Sequence, residues 1–127
     1  MDCYIYISYV SSQNIDLLEF TRKFSNNNKL HGITGVLLYH CGNVIQLFEG
    51  PHSKTKQLLH NIKQDPLHTN FKVLLHENIT TRNFPEWNMG FVTENSEFYN
   101  KFLFNSKFIN PKVNLLFNTF QKIIRDN

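Results

Sequence analysis

Cysteine, glycine and proline are all scarce in this sequence. Its 127 residues include two cysteines, Cys3 and Cys41, five glycines and four prolines. The cysteines are far apart and form no C-x-x-C pair, so a disulfide framework is not expected and a reducing cytoplasm is the better prediction. The chain also lacks a glycine-rich phosphate loop, internal repeats and a linker.

Charged residues are sparse as well, at 18% of the chain, and the net charge is only +3. Because the Lys and Arg residues are scattered, they form no basic run with interleaved aromatics, and a nucleic-acid partner is not expected. No apolar stretch is long enough to cross a membrane, so we expect no membrane partner. The apolar N-terminal segment contains Asp2 and no basic leader, which predicts a strand and not a signal peptide.

The sequence contains no recognised spacing of catalytic or metal-binding residues. The six histidines show no recognised ligand spacing, so we expect no metal site. There is no nucleophile elbow, and Glu49 and Asp65 are not an obvious acid–base pair. The sequence therefore predicts a protein that is not an enzyme.

Aromatic residues, in contrast, are abundant, with 12 phenylalanines and five tyrosines. Together with a hydrophobic content of 41%, they predict a chain that folds as an ordinary domain. They are numerous enough to fill a core, to line a pocket for a flat ligand, or to do both.

Hydrophobic periodicity predicts the first elements. Alternation over residues 3–10 indicates a half-buried strand, and a helix capped by Asn14 should follow and fade at residues 25–28. Two short apolar runs, 36–40 and 44–48, flank a tight turn and predict a hairpin.

The second half of the chain predicts one more helix, two strands and a final helix. We expect a helix capped by Ser53 and stopped at residues 65–66, a strand at 71–75, and a short strand at the end of 79–92. A last helix should begin with Asn110 as its cap and Pro111 at its first position. Its apolar stripe comprises Val113, Leu116, Phe117, Phe120, Ile123 and Ile124.

This order predicts an α+β fold of the ferredoxin-like type, β-α-β-β-α-β-β, with a C-terminal helical extension. Right-handed crossovers place both helices on one face of the sheet. We assign residues 1–95 to the domain and 96–127 to the extension. The apolar stripe of the last helix should cover the opposite sheet face or pair with a second copy of the chain.

Polar residues in apolar surroundings are the candidates for function. Gln46 shares a strand face with Val44 and Phe48, and a buried amide needs partners. Tyr6, on the neighbouring strand, could supply one, although a purely structural glutamine is an equally good interpretation. On local grounds, Asn27 and Asn28 suit helix capping, and Trp87 and Met89 suit core packing.

Taken together, these segments resemble the BLUF family, the flavin-binding sensors of blue light. The resemblance covers residues 3–92. The matching segments, in order, are Y-I-S at 6–8, N-N-K-L-H-G-I-T-G at 27–35, Q-L-F-E-G at 46–50, D-P-L-H at 65–68 and F-P-E-W-N-M at 84–89.

The resemblance implies a photoreceptor that switches by hydrogen bonding. Tyr6 matches the photoactive tyrosine, which gives an electron and a proton to the excited flavin. Gln46 matches the glutamine whose altered hydrogen bonds define the signalling state. Trp87 and Met89 match the pair at the last strand that responds to it and couples to the tail helices.

The resemblance also implies the flavin-binding residues, with FAD as the usual cofactor and FMN or riboflavin as alternatives. Asn28 matches the residue that hydrogen-bonds the flavin ring, Asn27 is its neighbour, and Ile33 would pack on the ring. Asp65 and His68 match residues close to the flavin at the exit of the second helix.

One position departs from the family pattern. Leu67 stands where some members have a basic residue near the flavin phosphates. Lys29 and Arg82 are possible substitutes for this phosphate-binding role.

The implied partners are the flavin and an unidentified downstream protein or effector domain, with a homodimer or higher homo-oligomer as a further possibility. If the chain ends at residue 127, it must act through another protein, but it could equally be a fragment. Two other functions on this fold stay open: an interaction or RNA-binding module with an open aromatic sheet face, and an acylphosphatase-like hydrolase. The hydrolase needs an arginine anion cradle, which residues 11–14 do not offer.

Overall fold

The computed structural model describes residues 1–11, 16–97, 99–100 and 110–126. The elements follow the order β-α-β-β-α-β-β before a final helix. They are β1 Asp2–Val10, α1 Leu17–His31, β2 Thr34–His40, β3 Asn43–Gly50, α2 His52–Gln64, β4 His68–Asn78, β5 Gly90–Val92 and α3 Pro111–Asp126. None of these helices is long and apolar enough to cross a membrane.

The five strands form one mixed sheet in the order β4-β1-β3-β2-β5. β1 pairs antiparallel with both β3 and β4, and β2 pairs antiparallel with β3. β5 is added parallel to β2 at the edge. The predicted ferredoxin-like order with one added strand is therefore confirmed.

Strand alternation divides the core into two layers. One face of the sheet carries Tyr6, Leu37 and Phe48, which pack with residues of α1 and α2. The other face carries Ile5, Val36, Leu38, Ile45 and Leu47, which pack under α3. The buried residues of α3 are Val113, Leu116, Phe117 and Phe120.

The apolar stripe of α3 packs on the chain's own sheet, on the face opposite α1 and α2. Of the two predictions for this stripe, packing on the opposite sheet face is therefore confirmed. The open aromatic face that an RNA-binding module would need is therefore covered.

The first helix is longer than predicted. α1 continues through Asn27 and Asn28 to His31, so the expected fading at residues 25–28 and the capping role of the asparagines are wrong. Asn28 is buried inside the fold, and tertiary packing outweighs the weak helix propensity of asparagine. The helix instead ends before Gly32, whose φ of +67° is the left-handed conformation that suits a helix C-terminus.

Other boundaries also differ from the predictions. α2 starts one residue before Ser53, after Pro51, and no side chain caps it. β4 is longer than predicted because it pairs with β1 along nearly its whole length. Asn110 is confirmed as a cap, since its Oδ1 accepts a hydrogen bond from the Lys112 amide at 3.0 Å. The predicted Asn14 cap lies outside the described residues.

Candidate functional site

Tyr6, Gln46 and Met89 form a hydrogen-bonded chain beneath α1 and α2. Tyr6 and Gln46 lie opposite each other in the register of β1 and β3, and both are 0% exposed. The Tyr6 hydroxyl donates to Gln46 Oε1, and Gln46 Nε2 donates to the thioether sulfur of Met89 at 3.3 Å. Because sulfur is a weak acceptor, the amide N–H side of Gln46 is the less strongly held side.

Burial keeps the Tyr6 hydroxyl protonated. Removal from water raises the pKa of Tyr6, and the negative charge of Asp65 raises it further. The ring stacks on Phe71 with a centroid distance of 5.0 Å. Tyr6 is therefore a fixed, neutral hydrogen-bond donor.

Asn28 presents an unpartnered oxygen close to this chain of contacts. Its Nδ2 donates to the backbone oxygen of Asn88 at 2.8 Å, and the Asn88 side chain donates to the backbone oxygen of Ile33 at 3.3 Å. Within the described part of the chain, buried Asn28 Oδ1 has no hydrogen-bond partner. A buried amide oxygen without a partner is costly, so a ligand donor would stabilise it.

His68 shows the same pattern at the start of β4. Its Nδ1 lies 2.8 Å from Ser8 Oγ, whereas its buried Nε2 lacks a partner among the described residues. Burial lowers the pKa of His68, and the charge of Asp65 offsets this only in part. The imidazole is therefore neutral near pH 7 and can donate or accept a single hydrogen bond at Nε2.

A cavity of about 510 Å³ lies between α1 and α2. It includes Asn27 and Asp65, two of the predicted site residues, and Leu67. Its full lining is Phe20, Lys23, Phe24, Asn26, Asn27, Leu30, Leu58, Asn61, Ile62, Asp65 and Leu67. Apolar walls with a few amides and charges suit a flat, partly polar ligand.

Lys23 is the cation of this lining, and the sequence reasoning missed it. Its signal was present, because Lys23 precedes Asn27 by four residues and so shares a helix face with it. Lys23 and Lys29 are both exposed, but Lys29 does not line the cavity.

Arg82 is also placed away from the cavity lining. Its guanidinium donates to the backbone oxygens of Gly32, at 2.7 Å, and Glu49, at 3.2 Å, and to Thr34 Oγ1, at 2.9 Å. Arg82 therefore ties the loop before β5 to the end of α1 and the start of β2.

Trp87 and Met89 lie just before β5 and point to different layers. Met89 belongs to the layer under α1 and α2. Trp87 packs against the layer under α3 and stacks on Phe84 with a centroid distance of 5.9 Å. A Cβ on Gly90 would lie 2.1 Å from the Trp87 ring, so the glycine makes room for this placement.

The donor set fits a flavin better than a metal. No group of three or more His, Cys, Asp or Glu side chains in the described ranges could hold a metal ion. Asn28 Oδ1 and His68 Nε2 are buried polar atoms that a heterocycle edge could satisfy, and Ile33 is a buried apolar surface for its face.

Comparison with known proteins gives one consistent family. The family described as "BLUF: Sensors of blue-light using FAD" matches residues 1–90. A photoactivated adenylate cyclase subunit beta from Euglena longa is 35% identical over 94 residues, which are 69% of this chain and 11% of that protein. This chain therefore spans only about a tenth of that relative.

Two solved structures extend the comparison to the fold. The dark state of BlrB, a BLUF protein, matches with a TM-score of 0.69 and 34% identity, over 72% of this chain and 71% of that one. BlrP1 from Klebsiella pneumoniae, with FMN and cyclic diGMP, matches with a TM-score of 0.78 and 25% identity, over 98% of this chain and 34% of that one.

Proposed function

This chain belongs to the BLUF family, the sensors of blue light using FAD, and from that premise we propose that Tyr6 and Gln46 are its photochemical switch. It is a blue-light-sensing flavoprotein domain. The observation that carries the proposal is the buried hydrogen-bonded chain from Tyr6 through Gln46 to Met89.

The flavin ring would be held by residues of α1, β4 and the turn before β2. Asn28 Oδ1 and His68 Nε2 are the buried polar atoms available for its edge, and Ile33 lies in the same layer. The cavity with Asn27 and Asp65 would take the ribityl chain. Lys23 would meet a phosphate, and this is supported by its position in the cavity lining, from which Lys29 and Arg82 are absent.

We propose FAD as the bound flavin, with FMN as the second candidate. The BlrP1 structure contains FMN, and a single lysine in the cavity lining would bind the phosphate of either molecule. Contacts to the adenosine part of FAD, which FMN lacks, would decide between FAD and FMN.

When bound, the flavin supplies absorption of blue light and an oxidising excited state. Tyr6 would be the electron donor to that excited state, and its proton would follow along the hydrogen bond to Gln46 Oε1. When the electron and the proton return to Tyr6, the amide of Gln46 would be left rotated or tautomerised, with its donor and acceptor sides exchanged. Its weak bond to Met89 is the contact most easily replaced.

The output would be carried by another domain or protein. Adenylate cyclase activity belongs by name to the Euglena relative, of which this chain matches only a small part. We propose that residues 1–95 form the sensor and 96–127 the extension that contacts an effector. A homodimer or higher homo-oligomer is one form in which that contact could be made.

Purification tests the proposal directly. The protein should be yellow, and acid release followed by chromatography should identify FAD. Blue light should then shift the absorption of the bound flavin to longer wavelength. A colourless protein that fails to take up added FAD, FMN or riboflavin would overturn the proposal.

A further inference from the structure

The loop of residues 82–89, which we call the switch loop, touches both layers of the core. At its C-terminal end, Met89 accepts the hydrogen bond of Gln46 on the α1–α2 face. At its N-terminal end, Arg82 fixes it to Gly32 and Thr34. Between these ends, Asn83 hydrogen-bonds a buried carboxylate.

That carboxylate belongs to Glu49 on β3. Alternation from Gln46 places Glu49 on the α3 face of the sheet, and it is 0% exposed. Its oxygens accept hydrogen bonds from the backbone N–H groups of Asn83, at 2.6 and 2.9 Å, and Phe84, at 2.8 Å. The Asn83 side chain adds a donor at 3.1 Å. A buried carboxyl group that accepts this many hydrogen bonds holds the loop in one position.

Asn83 also contacts the start of α3. Its Oδ1 accepts a hydrogen bond from Asn110 Nδ2. Asn110 in turn caps α3, since its Oδ1 accepts from the Lys112 amide at 3.0 Å and its backbone oxygen accepts from the Asn114 amide at 3.0 Å. The first turn of α3 is thus bonded to the same loop that bonds Gln46.

We propose that Glu49, Asn83 and Asn110 form a relay that couples the switch loop to the N-terminus of α3. The inference rests on the proposed function, because it takes the light-driven change at Gln46 as its input. When Gln46 exchanges its donor and acceptor sides, Met89 loses its hydrogen-bond donor. The preferred position of the switch loop then shifts. The relay transmits that shift to the cap of α3, the helix of the C-terminal extension. These three are positioning residues for output and do not touch the flavin.

Two variants cut the relay while preserving its surroundings. Asn83→Ala removes the side-chain link to Asn110 but keeps the backbone N–H groups that Glu49 binds. Asn110→Ser removes the amide donor yet keeps a favourable helix cap. Glu77→Gln is the matched control, because the Glu77 carboxylate lies 3.0 Å from Lys112 Nζ and anchors the same turn of α3 outside the relay.

The experiment measures hydrogen exchange of α3 amides in the dark and under blue light, with absorption spectra of the same flavin-loaded samples. The wild type and Glu77→Gln should show a light-dependent change in α3. Asn83→Ala and Asn110→Ser should keep the red shift and lose most of that change.

The possible outcomes distinguish failure of the proposed function from failure of the relay. A wild type without a red shift overturns the proposed function and, with it, the relay. A normal red shift with an unchanged light response of α3 in both relay variants overturns the relay alone, as does a wild-type α3 that does not respond to light.

Discussion

Gln46 is a buried amide that uses both of its functions, one towards Tyr6 and one towards Met89. Gln46→Leu conserves the side-chain volume but removes both hydrogen-bonding groups. We expect flavin binding to persist through Asn28 and the cavity, and the light-induced red shift to disappear. Leaving the Tyr6 hydroxyl without an acceptor should cost about 1–3 kcal/mol of stability.

Absorption spectra before and after blue light, with urea unfolding, check this prediction. Gln57→Leu is the control, because it makes the same change at an exposed position of α2. A normal red shift in Gln46→Leu would show that the switch lies elsewhere.

The position of Lys23 in the cavity lining predicts that it binds the flavin phosphate. Lys23→Ala should weaken FMN binding roughly fivefold, as expected for one partly exposed charge contact. Riboflavin, which has no phosphate, should bind unchanged. Fluorescence titration of the apoprotein with both flavins measures the difference. Lys29→Ala is the matched control, and an equal loss with Lys29→Ala would remove the special role of Lys23.

At the scale of elements, Asp2 joins β1 to α2 and β4. Its buried carboxylate accepts a hydrogen bond from His52 Nδ1 and lies 3.5 Å from His76 Nε2. Burial alone would raise the pKa of Asp2, but the hydrogen bonds and charges of His52 and His76 outweigh it and lower the pKa below 3.8. The carboxylate is therefore favoured in the folded state.

The direction of this shift fixes a pH dependence. A carboxyl with a lowered folded-state pKa stabilises the fold above its unfolded value, and this stabilisation is lost as pH falls through the folded value. Asp2→Asn should thus be less stable than the wild type near pH 7, with a difference that shrinks as pH falls below 3.8. Urea unfolding across this range tests the prediction, and a gap that stays constant would contradict it.

At the scale of the whole molecule, α3 covers the sheet face opposite α1 and α2. Phe117 lies at its centre and is fully buried against the sheet. Phe117→Ala should reduce the free energy of unfolding by about 3–5 kcal/mol. The flavin spectrum should change little, because Phe117 lies in the layer away from Tyr6 and Gln46.

Thermal unfolding followed by circular dichroism and by flavin absorbance measures both effects. Asn118→Ala, on the exposed side of the same helix, controls for the gain in helix propensity that alanine brings. A variant that lost flavin binding in proportion to its stability would show that the two layers are not independent.

The sequence by itself determined the order of the elements and the sheet faces of Tyr6 and Gln46. Alternation along β1 and β3 is a short-range pattern that local periodicity specifies, whereas the proposed photochemical role of the two residues came from the family resemblance. The apolar stripe of α3 was equally visible.

Only the tertiary structure decided which distant groups meet. Asn28 became helical because burial against Asn88 outweighed its local preference. No local pattern indicated a partner for Glu49, but in the fold it accepts hydrogen bonds from the backbone N–H groups of Asn83 and Phe84 in the loop before β5. Lys23, and neither Lys29 nor Arg82, lines the cavity because the packing of α1 on α2 selects one helix face. Such choices depend on contacts between residues far apart in the chain, which local propensity does not specify.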